Sequence, residues 1–149
     1  MKTRLAFACL LFATPAAAGE PSDLVARFYS GELSLFEEAV ADAHTGGSLQ
    51  AFLGEVFDHE AKRDDMMCLD FDPVIDAQDF DEAELASTLV LNEEVNSDGA
   101  IVDAGFSLFG EPRSVVWTLQ RIGGEWRVTD IASDESGWRI SDMACEAPE

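Results

Sequence analysis

Apolar residues recur at helical spacing through the first half of the chain and alternate with polar ones through the second. Leu24, Val25, Phe28 and Tyr29 share one face of a short helix that Ser22 can cap and Gly31 stops. "SLFE" at 34–37 has the form of a capping box, with Ser34 three residues before Glu37. The stripe Leu35, Phe36, Ala39, Val40 and Ala43 follows it. "TGGS" at 45–48 breaks this second helix, and Ser48 opens a third. There Leu49, Phe52, Leu53, Val56 and Phe57 form the apolar face, ending in "HEAKRDD".

After residue 84 the period falls to two. Residues 85–95 and 100–109 read as strands joined by "NSDG", whose Asp98-Gly99 pair favours a tight hairpin. "GEPR" turns the chain into a third strand over 114–122, where Val115, Trp117 and Leu119 alternate. Gly123-Gly124 makes another hairpin into "EWRVTDIA", and "WRISDMAC" supplies a last short alternating piece. Helices followed by a run of strands predict one α+β domain over residues 19–149, with N-terminal helices packed on a strongly curved antiparallel sheet.

The first eighteen residues change that picture only by removal. Lys2 and Arg4 precede an apolar run from Leu5 to Ala13, and Ala16, Ala17 and Ala18 form a small-residue cleavage site. The run is shorter than the roughly 20 residues that span a bilayer. It reads as a cleaved secretory leader, so the expected location is periplasmic or secreted, with no membrane span. Without Lys2 and Arg4 the chain keeps 7 bases against 30 acids, a net charge of −23. Such a charge excludes nucleic acid and favours cations or basic proteins as partners. Of the three cysteines, Cys9 lies in the leader. Cys68 and Cys145, an even pair in an oxidising compartment, are expected to bridge.

The order of elements, "DFDPVIDAQDF" after the helices and the near-terminal "GGEWRVTDI" strand resemble small exported bacterial proteins of unknown function. That branch belongs to the nuclear transport factor 2-like (cystatin-like) superfamily. The resemblance implies a cone-shaped sheet wrapped on a helix, with a pocket between them, and it admits a homodimer through the sheet. It implies no single activity, because isomerases, dehydratases and non-catalytic binding modules share that scaffold.

Three sets of residues are candidates for chemistry. Residues 68–85 carry seven acids and no base. Asp70, Asp72 and Asp76 are spaced loosely like calcium ligands, but Val74 and Ile75 stand where an EF-hand needs its third ligand and glycine. The segment reads first as an anchored connection, its Leu69, Phe71, Val74, Ile75 and Phe80 packing inward and Asp79 capping a helical turn. Asp130 shares strand parity with Trp126 and Val128, so it is the candidate general base of an enclosed pocket. A bulge that resets the parity before Ile131 would instead turn it outward. Tyr29, Phe57, Phe106, Trp117 and Trp126, with Phe28 and Phe52, either fill the interior or line a small apolar pocket.

His44 and His59 belong to no zinc pattern, and there is neither a G-x-S-x-G elbow nor a phosphate-cradling loop. No pattern calls for a cofactor. The leading functional reading is a non-catalytic exported module that binds a small apolar ligand or a basic protein. The alternatives are a cone-pocket isomerase or dehydratase using an Asp as base, and an inhibitor or immunity-type protein covering a basic enzyme.

Overall fold

The computed structural model describes residues 19–62 and 68–145. The leader expected over 1–18 lies outside the described residues. Four helices come first: α1 Pro21–Tyr29, α2 Glu38–His44, α3 Gly47–Lys62 and α4 Glu82–Thr88. A meander follows: β1 Val90–Val95, β2 Ala100–Leu108, β3 Glu111–Ile122, β4 Glu125–Ser133 and β5 Trp138–Arg139. All neighbouring strands are antiparallel, in the order β1-β2-β3-β4-β5. The α+β reading holds, with the sheet curled around the helices.

One face of the sheet makes the core. Ala100, Val102, Ala104, Phe106 and Leu108 of β2 are buried, and Val115, Trp117 and Leu119 continue the layer on β3. Against them pack Val25 and Phe28 of α1 and Leu49, Phe52, Leu53 and Val56 of α3. The hairpin turns follow their glycines. Gly123 and Gly124 both have positive φ, 62° and 84°, as a type I′ turn demands. The β2–β3 turn is unusual in placing Phe109 at φ 51° before Gly110 at 82°. It therefore lies at 109–110, and β3 begins at Glu111, before the 114 that the alternation suggested.

Local signals were displaced by small steps, each with a physical reason. Pro21 takes the first helical position of α1, so Ser22 lies inside the helix and its N–H donates to Glu93 of β1 (2.9 Å). Ser34 and Glu37 form a turn, with Ser34 Oγ accepting from Phe36 N, and α2 starts only at Glu38. The cap of α4 is Asp81, accepting from Glu84 N at 2.8 Å, two residues after the Asp79 expected there. That helix absorbs 85–88, which alternation alone assigned to a strand.

The C-terminus is tied back twice. Cys68 and Cys145 form the expected disulfide, their Cα atoms 5.2 Å apart across 77 residues. Cys145 N also donates to Glu55 of α3 (3.3 Å).

Candidate functional site

The β4 strand carries the bulge. Leu119 pairs with Val128 but Thr118 pairs with Asp130, so Thr129 is the extra residue. Val128, Thr129 and Ile131 are all buried as a result, and Asp130 leaves the inner parity of Trp126. Its carboxylate accepts from Ile131 N (3.0 Å), Ser141 N (3.1 Å) and Ser141 Oγ (2.7 Å), and pairs with Arg139 at 3.1 Å. Asp130 clamps β4 to the C-terminal turn and is not among the residues that line the main groove. The pocket-base candidacy is corrected accordingly: the bulge turns the residue outward, into a ring of donors.

The acidic segment does not form a cage of oxygens. Asp70 is exposed. Asp76 adopts φ 54°, and its carboxylate is drawn into a polar knot against β4 and β5. It accepts from Ser133 Oγ (2.9 Å), Trp138 Nε1 (2.6 Å) and Ser136 Oγ, with Arg113 Nη1 at 4.0 Å. Phe71 packs on the same Trp138, ring centres 5.0 Å apart. Asp72 lies elsewhere, its Oδ1 accepting from Val74 N (2.9 Å). The three aspartates named as calcium candidates thus have three separate environments. Among the described residues no group of three or more His, Cys, Asp or Glu side chains could hold a metal ion.

Asp72 opens onto the main groove, of about 400 Å³. The end of α1 and the following loop supply Phe28, Tyr29, Leu33, Leu35 and Phe36. The acidic segment supplies Asp72, Val74, Ile75 and Phe80, and α4 supplies Glu82, Leu85 and Ala86. Phe36 and Phe80 keep 38% and 37% of their surface exposed at its walls. Burial pushes the Asp72 carboxyl above the usual carboxylate range, opposed by the Val74 N–H. Burial likewise raises the Tyr29 phenol, which therefore keeps its proton.

Of the five residues named for a pocket, Tyr29 lines this groove. Phe106 and Trp117 are core residues packed on its ring, at 5.5 and 5.8 Å between centres, and Trp117 Nε1 donates to its hydroxyl (3.2 Å). Phe57 packs against the core from α3. Trp126 lies under Arg121, whose guanidinium carbon is 4.6 Å from the ring centre. Phe106, Trp117 and Phe57 fill space between the curled sheet and the helices, whereas Trp126 also borders two smaller surface grooves. His44 ends α2 as expected, but burial, then Arg27 and Arg127, push its pKa down, so it is no fixed cation.

The five described arginine side chains are all engaged internally. Arg27 pairs with Glu32 (2.8 Å), Arg139 with Asp130, and Arg113 approaches Asp76. Arg127 donates to the carbonyls of Asp42 (2.7 Å) and Thr45 (3.2 Å) at the end of α2, and Arg121 covers Trp126. The acids at Glu37, Glu38, Asp42, Glu94, Asp103, Asp134 and Glu135 are exposed. What the surface offers a partner is negative charge.

No protein-family model and no curated protein sequence matches the chain. Solved structures do, among them two of the type VI effector–immunity complex Tae3–Tai3 from Ralstonia pickettii, the second containing selenomethionine. The matched chains are the Tai3 immunity proteins. The first aligns at 16% identity with a TM-score of 0.52, over 79% of this chain and 95% of that one. The second aligns at 17% identity with a TM-score of 0.54, over 80% and 97%. The likeness is one of fold. It is to a small bacterial immunity protein, whereas the resemblance to the cone-shaped superfamily rests on the sequence motifs.

Proposed function

We propose that this chain is an immunity-type protein, acting in the periplasm as a non-catalytic binder that covers a basic effector enzyme. The observation that carries the reading is the fold alignment, which takes in nearly the whole of an immunity chain solved with its effector. Charge supports it. A mature surface of net −23, with its described arginines turned to internal partners, is built to meet a basic protein. The disulfide suits an oxidising compartment, as does the leader pattern. The groove is lined mainly by apolar side chains and Asp130 is engaged by four donors, which favours binding over turnover.

The test is protection. Type VI effectors of the same genome are directed one at a time to the periplasm of a sensitive host, with or without this protein carrying its leader. One effector is expected to stop growth alone and be neutralised by co-expression, and the purified pair should elute as a stable complex. If every toxic effector kills with the protein present, the immunity reading is wrong. A wall-degrading enzyme is the expected target, since its substrate lies in the same compartment.

A further inference from the structure

The groove beside α1 and α4 combines two properties seldom found together. Its walls are largely apolar and aromatic, yet they carry the carboxylates of Asp72 and Glu82, and among the described residues no base lines it. Asp72 accepts one backbone N–H and meets no cation among the described residues. Lost hydration is thus replaced by a single hydrogen bond, where a carboxylate has about four acceptor positions. The volume lies within the roughly 300–1,000 Å³ of small-ligand pockets. An aliphatic stem ending in a positive charge satisfies both features, with its stem and cation against the faces of Phe36 and Phe80 and its head at Asp72.

We propose that this groove takes one arginine or lysine side chain projecting from the partner protein, with Asp72 as its counter-ion. The inference rests on the immunity reading for the identity of the partner. A protein side chain, not a free metabolite, is the occupant because exposed acids next to the groove walls (Glu37 beside Phe36, Asp79 and Asp81 beside Phe80) attract a basic surface, and the groove offers that surface one anchor. Interfaces concentrate their energy in such desolvated pockets, and Arg is among the residues most enriched there. The pairing also gives Asp72 the cation that it does not meet among the described residues.

Two blocked tripeptides test the groove without the effector: acetyl-Gly-Arg-Gly-amide, and the same peptide with citrulline, uncharged and near-isosteric. Each is titrated into the mature protein while backbone amide resonances are followed by NMR. The arginine peptide is expected to move the resonances of Tyr29, Phe36, Asp72 and Phe80, with saturation in the millimolar range. Asp72→Asn should weaken it at least fivefold, and Phe80→Ala, at an already exposed position, by two- to fivefold. The citrulline peptide should bind at least fivefold more weakly. Equal binding of both peptides, an unchanged affinity in Asp72→Asn, or shifts scattered over the acidic surface would overturn the proposal. The growth assay separates this outcome from failure of the immunity reading. Protection by both the wild type and Asp72→Arg would remove the groove from the interface and leave immunity intact. Failure of the wild type to protect would remove immunity, while the peptide titration still reports on the groove.

Discussion

Asp72 and Asp76 stand four residues apart in one acidic segment and have opposite surroundings. Asp76 is 93% covered and its carboxylate meets two serine hydroxyls, an indole N–H and a guanidinium, so its charge is compensated within the fold (side-chain exposure 7%). Asp72 is desolvated by an aromatic groove and compensated by one N–H. The first is a knot that fastens the segment to β4 and β5. The second is a carboxylate with acceptor capacity left over, facing open space. The difference teaches that burial alone does not mark an acid as functional; burial without compensation does.

The largest effect expected bears on both residues at once. The Cys68–Cys145 bond holds the segment just before Asp72, and closing 77 residues limits the unfolded chain by about 4.5 kcal/mol in the chain-entropy account. Cys68→Ser should therefore lower Tm by roughly 15 °C under non-reducing conditions. A drop below a few degrees would mean that the segment is held by its side chains, with the knot around Asp76 as the principal tie.

Removing the knot comes next. Asp76→Ala leaves Trp138 Nε1 and the buried Ser133 hydroxyl without their acceptor and puts a β-carbon residue without polar help at φ 54°. The loss should be about 3 kcal/mol. Urea denaturation should show a lower midpoint at an unchanged slope. A change under about 1 kcal/mol would dissolve the contrast between the two aspartates. A smaller effect belongs to Glu84, which faces away from the groove on α4. Its two oxygens accept from Phe109 N (2.6 Å) and Gly110 N (2.7 Å), pinning α4 to the β2–β3 turn. Glu84→Ala should cost about 1–2 kcal/mol and loosen one wall of the groove, visible as faster amide exchange at 109–110.

How far these features could be read in advance follows the range of the interactions. The helices, the hairpins at 96–99 and 123–124 and the apolar face of β2 were legible because spacing and turn glycines act locally. The disulfide was legible from cysteine parity read together with the leader pattern. The roles of Asp72, Asp76 and Asp130 were not, since Asp72 and Asp76 meet residues far along the chain and Asp130 depends on how β4 meets the turn carrying Arg139 and Ser141. Asp76 waits on Ser133, Ser136 and Trp138, about sixty residues later. The bulge at Thr129 that turns Asp130 outward had one trace, the broken alternation at Ile131. Trp126 and Trp117 look alike as aromatic strand residues and both are buried, but Trp126 carries Arg121 over its ring at the rim while Trp117 is fully enclosed, its Nε1 donating to Tyr29. The groove itself arises where α1, the acidic segment and α4 meet, which no single stretch encodes.

The smallest effect is also the one of opposite sign. Burial holds the Asp72 pKa above its ordinary value, the Val74 N–H opposing it only in part. A carboxyl whose folded pKa exceeds its unfolded one binds its proton more tightly in the native state. Its contribution is fully present below the unfolded pKa, about 4, and is lost as pH rises through the folded value. At neutral pH the charged Asp72 therefore weakens the fold. Asp72→Asn keeps an oxygen for Val74 N and removes the charge, so it should stabilise by up to about 1 kcal/mol at pH 7. That gain should shrink as the pH falls through the Asp72 titration and vanish below about pH 3.5. A parallel pair of urea curves at pH 7 and pH 3.5 reads both. Destabilisation at pH 7 would mean that Asp72 already has a cationic partner in the folded chain, and the groove would lose its claim on one from outside. Stabilisation at pH 7 together with weaker binding of the arginine peptide would mean the reverse. The residue would then reduce stability in the free protein and increase affinity in the complex, where a partner's cation brings its pKa back down.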